Sequence, residues 1–122
     1  MTKLILDHTV LAAMGTHRQV SAIVAGASHN IDQTVRVPAM CLAAAEAERS
    51  GLTRHVRYLP ALQVVDLTTR DTGIVGALIA LGVDWRNAHA VAVAREYSAP
   101  VVTLDAEGYE SFGVETITLK AN

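Results

Sequence analysis

Two aspartates, one near each end of the chain, sit in matching contexts. Leu4-Ile5-Leu6-Asp7 and Val101-Val102-Thr103-Leu104-Asp105 are each a run of β-favouring apolar residues closed by one carboxylate. Runs this apolar read as strands buried on both faces, the type found in parallel sheets. In such sheets ligands bind beyond the carboxyl ends of the strands. Two carboxylates delivered to that edge could hold a divalent cation, because hard cations want oxygen ligands. A cation held there could activate water and stabilise charge on a phosphate under attack. Plainer roles stand beside this one. Asp7 could cap a short helix after the strand, and Asp105-Ala106-Glu107-Gly108 is good turn sequence.

The elements that must position these acids alternate between β and α. The pattern predicts strands over 3–7, 33–37, 62–67, 101–104 and 114–119. Helices are expected over 9–14, 16–28, 38–49, 52–59, 68–82 and 85–97. Thr16 with Gln19 has the form of a capping box. Pro38 suits a first helical turn and Gly51 a helix end. Thr68, with Asp71 in the turn it opens, and Asp84 read as helix caps. Alternation of this kind argues for a three-layer α/β/α sandwich around a central parallel five-stranded sheet, with right-handed crossovers. The 122 residues suit one domain, with no linker, repeat or low-complexity segment.

Composition narrows the function classes. Hydrophobic residues make up 51% and charged residues 18%, below the usual charged fraction of about 25%. A core is available, and some apolar surface is left to hide in an interface. The net charge of −2 supplies no global field for nucleic acid. Arg49, Arg54, His55 and Arg57 are the densest basic cluster, read first as a solvated helix face. Cys41 is the only cysteine, so no internal disulfide forms, and it reads as a small core residue. No stretch approaches the roughly 20 apolar residues of a membrane span. A strand begins almost at once in place of a signal peptide, so a reducing cytoplasm is expected.

Several chemistries lack their residues. The sequence has no phosphate-binding G-x-x-x-x-G-K-[ST] loop, no G-x-G-x-x-G, no H-E-x-x-H and no G-x-S-x-G elbow. A phosphoacceptor receiver domain would place a pair of acids at the first strand end, where Asp7 is followed by His8.

Three stretches together resemble the PIN domain family. Leu4-Ile5-Leu6-Asp7-His8-Thr9-Val10-Leu11 is similar to that family's opening strand and Thr/Ser-Val-Leu helix. Val37-Pro38-Ala39-Met40-Cys41-Leu42-Ala43 resembles its second strand and the helix after it. Ala88-His89-Ala90-Val91-Ala92-Val93-Ala94 followed by Ala99-Pro100-Val101-Val102-Thr103-Leu104-Asp105 resembles its alanine-rich helix, strand and Thr-x-Asp. The likeness covers nearly the whole chain.

The resemblance implies a metal-dependent ribonuclease, in many members the toxin of a toxin–antitoxin pair and a dimer. Three or four acids would hold Mg²⁺ or Mn²⁺ at the carboxyl edge of the sheet. Carried over residue by residue, Asp7 falls on the first acid and Asp105 on the last. Both are thereby implied as metal ligands and, with Asn87, as catalytic residues. The acid of the third helix falls on Ala44, and the acid opening the alanine-rich helix falls on Asn87. Glu46 lies roughly 200° around the helix from Ala44, whereas Glu48 shares its face about 6 Å along the axis. Asp84, one turn before Asn87, could act through a water. Thr103 and His89 are further auxiliary candidates. The expectation is a toxin-type ribonuclease with a degenerate site, an RNA substrate, an antitoxin-like partner, a homodimer and no membrane. The alternative is a non-catalytic PIN-fold module that binds a protein partner or RNA. Trp85 is expected in the core.

Overall fold

The computed structural model describes residues 2–121. Five strands, β1 (Thr2–Leu6), β2 (Gln33–Pro38), β3 (Leu62–Val65), β4 (Val101–Thr103) and β5 (Thr116–Thr118), form one sheet in the order β3-β2-β1-β4-β5. Every pairing is parallel. The helices that flank the sheet are α1 (His8–Ala12), α2 (Arg18–His29), α3 (Ala39–Glu48), α4 (Leu52–Arg57), α5 (Thr69–Ala80) and α6 (Trp85–Tyr97). This is the three-layer α/β architecture that the alternation predicts.

The central strands are the apolar runs. Ile5, Leu6, Val101 and Val102 are fully buried, as are Val35 and Val37 of β2. Helix α6 packs on β1, β2 and β4, and Ala88, Ala90 and Val91 are among its buried residues. Small side chains there let the helix approach the sheet closely. Burying each large aliphatic residue contributes roughly 1.5–3 kcal/mol.

The chain runs outward from β1 to β2 and β3, then returns across the sheet to β4. The strand order therefore reverses between β1 and β4. Leu6 pairs with Val102, and the Asp7 N–H donates to the Val102 carbonyl at 3.3 Å. Asp7 and Asp105 thus leave the sheet side by side at its switch point, where open α/β sheets form their crevice.

Some boundaries differ from the sequence expectation. Helix α2 is capped by His17, not Thr16. The His17 ring accepts from Val20 N–H at 3.4 Å and contacts the Lys120 carbonyl at 2.6 Å, while the Thr16 hydroxyl donates back to Ala13 at 3.1 Å. Gln19 does not reach back to a cap; its side-chain oxygen accepts from Lys120 N–H at 3.3 Å. Pro38 remains in β2, paired with Val65, so α3 starts one residue later than expected. Strand β3 stops at Val65 and β5 keeps only three residues. Trp85 is half-exposed rather than core.

Candidate active site at the carboxyl edge

Asp7 follows the last residue of β1 and is fully buried. Its extended backbone makes it the N-cap of α1. One carboxylate oxygen, Oδ1, accepts from Thr9 N–H at 3.0 Å, Val10 N–H at 3.2 Å and the Thr9 hydroxyl at 2.6 Å. The other, Oδ2, accepts from the Tyr109 hydroxyl at 2.8 Å. A buried carboxylate needs such partners, because an unpaired charge there costs several kcal/mol.

Tyr109 ends the 3-10 turn Ala106–Tyr109 after β4 and is itself buried. Burial, followed by the negative charge of Asp7, pushes the phenol well above its usual range, so it remains a neutral donor. Asn87 Oδ1 lies 3.3 Å from the same hydroxyl. Asn87 sits in the first turn of α6, and Gly108 passes so close that a Cβ there would overlap the Asn87 amide. Cys41 of α3 is buried nearby. Burial first, and the Asp7 charge second, raise its thiol far above the range in which a thiolate forms.

Asp105 is exposed and caps the 3-10 turn by accepting from Glu107 N–H at 3.2 Å. Thr103 is buried; its hydroxyl accepts from Asp105 N–H at 3.0 Å and lies 3.3 Å from the Thr9 hydroxyl. The Thr9 hydroxyl also accepts from Leu104 N–H at 2.9 Å. Asp7, Thr103, Asp105 and Asn87 are therefore gathered around Thr9 and Tyr109.

The remaining candidates serve elsewhere. Glu46 closes the turn from α3 to α4, accepting from Gly51 N–H at 2.6 Å and Thr53 N–H at 2.8 Å. Glu48 is exposed near the end of α3. Asp84 caps α6 and is held by Arg86 through N–H, Nε and Nη2 at 2.9, 3.0 and 2.7 Å. Those bonds lower its pKa to about 2. His89 is buried, and its Nδ1 accepts from Met40 N–H at 3.2 Å. It caps the start of α3, where Pro38 has no side chain to offer. Ala44 is buried. Of the basic cluster, Arg49 is spent on the carbonyls of Ala12 and Met14, while Arg54, Arg57 and Tyr58 line an open cleft beside α4.

The described residues form no ready-made cluster of acids for a Mg²⁺ or Mn²⁺ ion. Among the described residues no group of three or more His, Cys, Asp or Glu could hold a metal. Asp7, the best-placed acid, already accepts four protein donors. Sequence reasoning missed Tyr109, and noted Thr9 only as part of a motif. The signal for Tyr109 was weak: a lone aromatic in a turn, after a glycine.

No protein-family model matches the chain, and no curated protein matches it in sequence. Solved structures do match in fold. The Mycobacterium tuberculosis VapC20 toxin, described as cleaving the sarcin–ricin loop, aligns with a TM-score of 0.69 at 12% identity, covering 93% of this chain and 98% of that one. FitAcB from Neisseria gonorrhoeae gives 0.64 at 15% identity over 93% and 96%. A DNA-bound VapBC from Salmonella typhimurium gives 0.66 at 17% identity over 96% and 97%.

Proposed function

We propose that this chain, which has the PIN fold, is a PIN-like protein of the toxin–antitoxin type whose ribonuclease site is degenerate. It acts by binding an antitoxin-like protein partner rather than by turning RNA over. The observation that carries this reading is the saturation of Asp7: its two carboxylate oxygens accept four hydrogen bonds, from Thr9 N–H and hydroxyl, Val10 N–H and the Tyr109 hydroxyl. Mg²⁺ commonly binds through one or two carboxylates with waters, which requires those carboxylates to be free. The toxins and toxin–antitoxin complexes that share the fold support the partner class.

The exposed apolar residues Ile74, Ile79, Leu81 and Trp85, on α5, just after it and at the start of α6, support association of the chain into a homodimer or with its partner. Among the described residues no helix is long and apolar enough to cross a membrane. A cytoplasmic location fits the free Cys41.

One observation favours a second reading, an endoribonuclease dependent on Mg²⁺ or Mn²⁺. The sheet does bring Asp7, Asp105, Asn87 and Thr103 to one place. A single experiment separates the two. Highly purified protein is incubated with single-stranded and structured RNA in Mg²⁺ and in Mn²⁺. No cleavage above a mock preparation is expected. Turnover that disappears in Asp105→Ala would establish the nuclease and overturn the binding-module reading.

A further inference from the structure

We infer that the Tyr109 hydroxyl and the Asn87 amide together stand in for a cation at this strand edge, so that Asp7 is stabilised by a protein-built hydrogen-bond network instead of metal charge. The inference concerns the site just described and rests on reading it as a degenerate nuclease edge. A buried carboxylate is tolerated only if positive charge or several donors face it. Here one oxygen is covered from its own helix, by Thr9 and Val10. The other is covered from the far end of the chain, by Tyr109.

The identity of residue 87 follows from the same bookkeeping of protons. A phenol has one proton, and the 2.8 Å contact with Asp7 takes it. The Asn87 atom at 3.3 Å is Oδ1, an acceptor, so with the phenol proton directed to Asp7 the amide must turn end for end and donate Nδ2–H to the phenol oxygen. An ionised aspartate at this position could not, and it would add a second charge beside Asp7. Asn87 and Tyr109 therefore form one device, Asn87 to Tyr109 to Asp7. The turn that carries Tyr109 is shaped for it: Asp105 caps the turn at Glu107, and Gly108 leaves room for the Asn87 side chain.

The test is thermal unfolding of wild type, Tyr109→Phe, Asn87→Asp and Asp7→Asn/Tyr109→Phe, each with EDTA and with Mn²⁺, and without RNA. The wild-type Tm is expected to be the same in EDTA and Mn²⁺. Tyr109→Phe leaves Asp7 charged and short of a donor, and should lose roughly 5 °C or more. Asn87→Asp should also lose stability. Asp7→Asn/Tyr109→Phe should unfold at a higher temperature than Tyr109→Phe, because the stranded charge is gone. Should Tyr109→Phe fail to fold, Asn87→Asp reads the same network from its other end. A Tyr109→Phe or Asn87→Asp variant as stable as wild type would overturn the inference. So would stabilisation of the wild type by Mn²⁺ that is lost in Asp7→Asn. Because no readout involves RNA, cleavage of RNA by the wild type would overturn the proposed function and leave this result standing.

Discussion

The Thr9 hydroxyl joins the ends of two strands that meet only across the whole length of the chain. It donates to Asp7 at 2.6 Å and accepts from Leu104 N–H at 2.9 Å, so it spans the gap between the ends of β1 and β4. Thr9→Val keeps the shape and removes both bonds, leaving a donor without a partner. It should cost about 1–3 kcal/mol by chemical denaturation, with Thr9→Ser close to wild type. At this scale the sequence was half legible. Asp7 and Asp105 stood out because each closes an apolar run. Glu46 and Asp84 looked equally available, yet nearer partners claim both: the backbone N–H groups of a turn for one and Arg86 for the other. Tyr109 was hidden because its meaning depends on a contact with a residue far away in sequence.

Elements were most legible where their signals were local. Helix α6 runs from Trp85 to Tyr97 as expected, because Asp84 caps its start and Ser98 turns left-handed at its end, with φ 51°. The start of α3 was legible from Pro38 to within one residue, but its cap was not, because the capping group is borrowed from α6. His89 lends Nδ1 to Met40 N–H, and its other ring nitrogen is buried with no hydrogen-bond partner among the described residues. Burial holds the imidazole pKa below its ordinary value against the weaker opposing pull of Asp71 and Glu96. The unfolded chain therefore takes up a proton as the pH falls below about 6.5, and the folded chain does not. The stability tied to a neutral His89 is whole above that pH and drains away below it. Between pH 7 and pH 5 the Tm should fall, and it should fall less steeply in His89→Gln. Equal slopes in the two proteins would show that α3 is not held in this way.

For the molecule as a whole, alternation and apolar runs were enough to give the sheet, because a parallel sheet has few ways to be wound. Charge and composition hinted at unmet apolar surface but could not locate it. The structure puts Leu81 at 75% exposure just after α5, with Ile79 and Trp85 exposed in the same stretch of chain. If that stretch is where copies of the chain associate, Leu81→Lys should shift sedimentation from dimer to monomer without lowering the Tm. Unchanged sedimentation of an assembled wild type would place the interface elsewhere. The reversal of strand order has a further effect, on timing. β1 is a central strand, yet β4, its partner on one side, is made long after it, and Tyr109, which covers its terminal carboxylate, is made 102 residues after Asp7. At about 5–20 residues per second, Asp7 waits roughly 5–20 s after its own synthesis for the hydroxyl that completes it. During that interval the nascent chain carries an unfinished apolar strand tipped with a charge, a state in which a chaperone could hold it or a protease could find it.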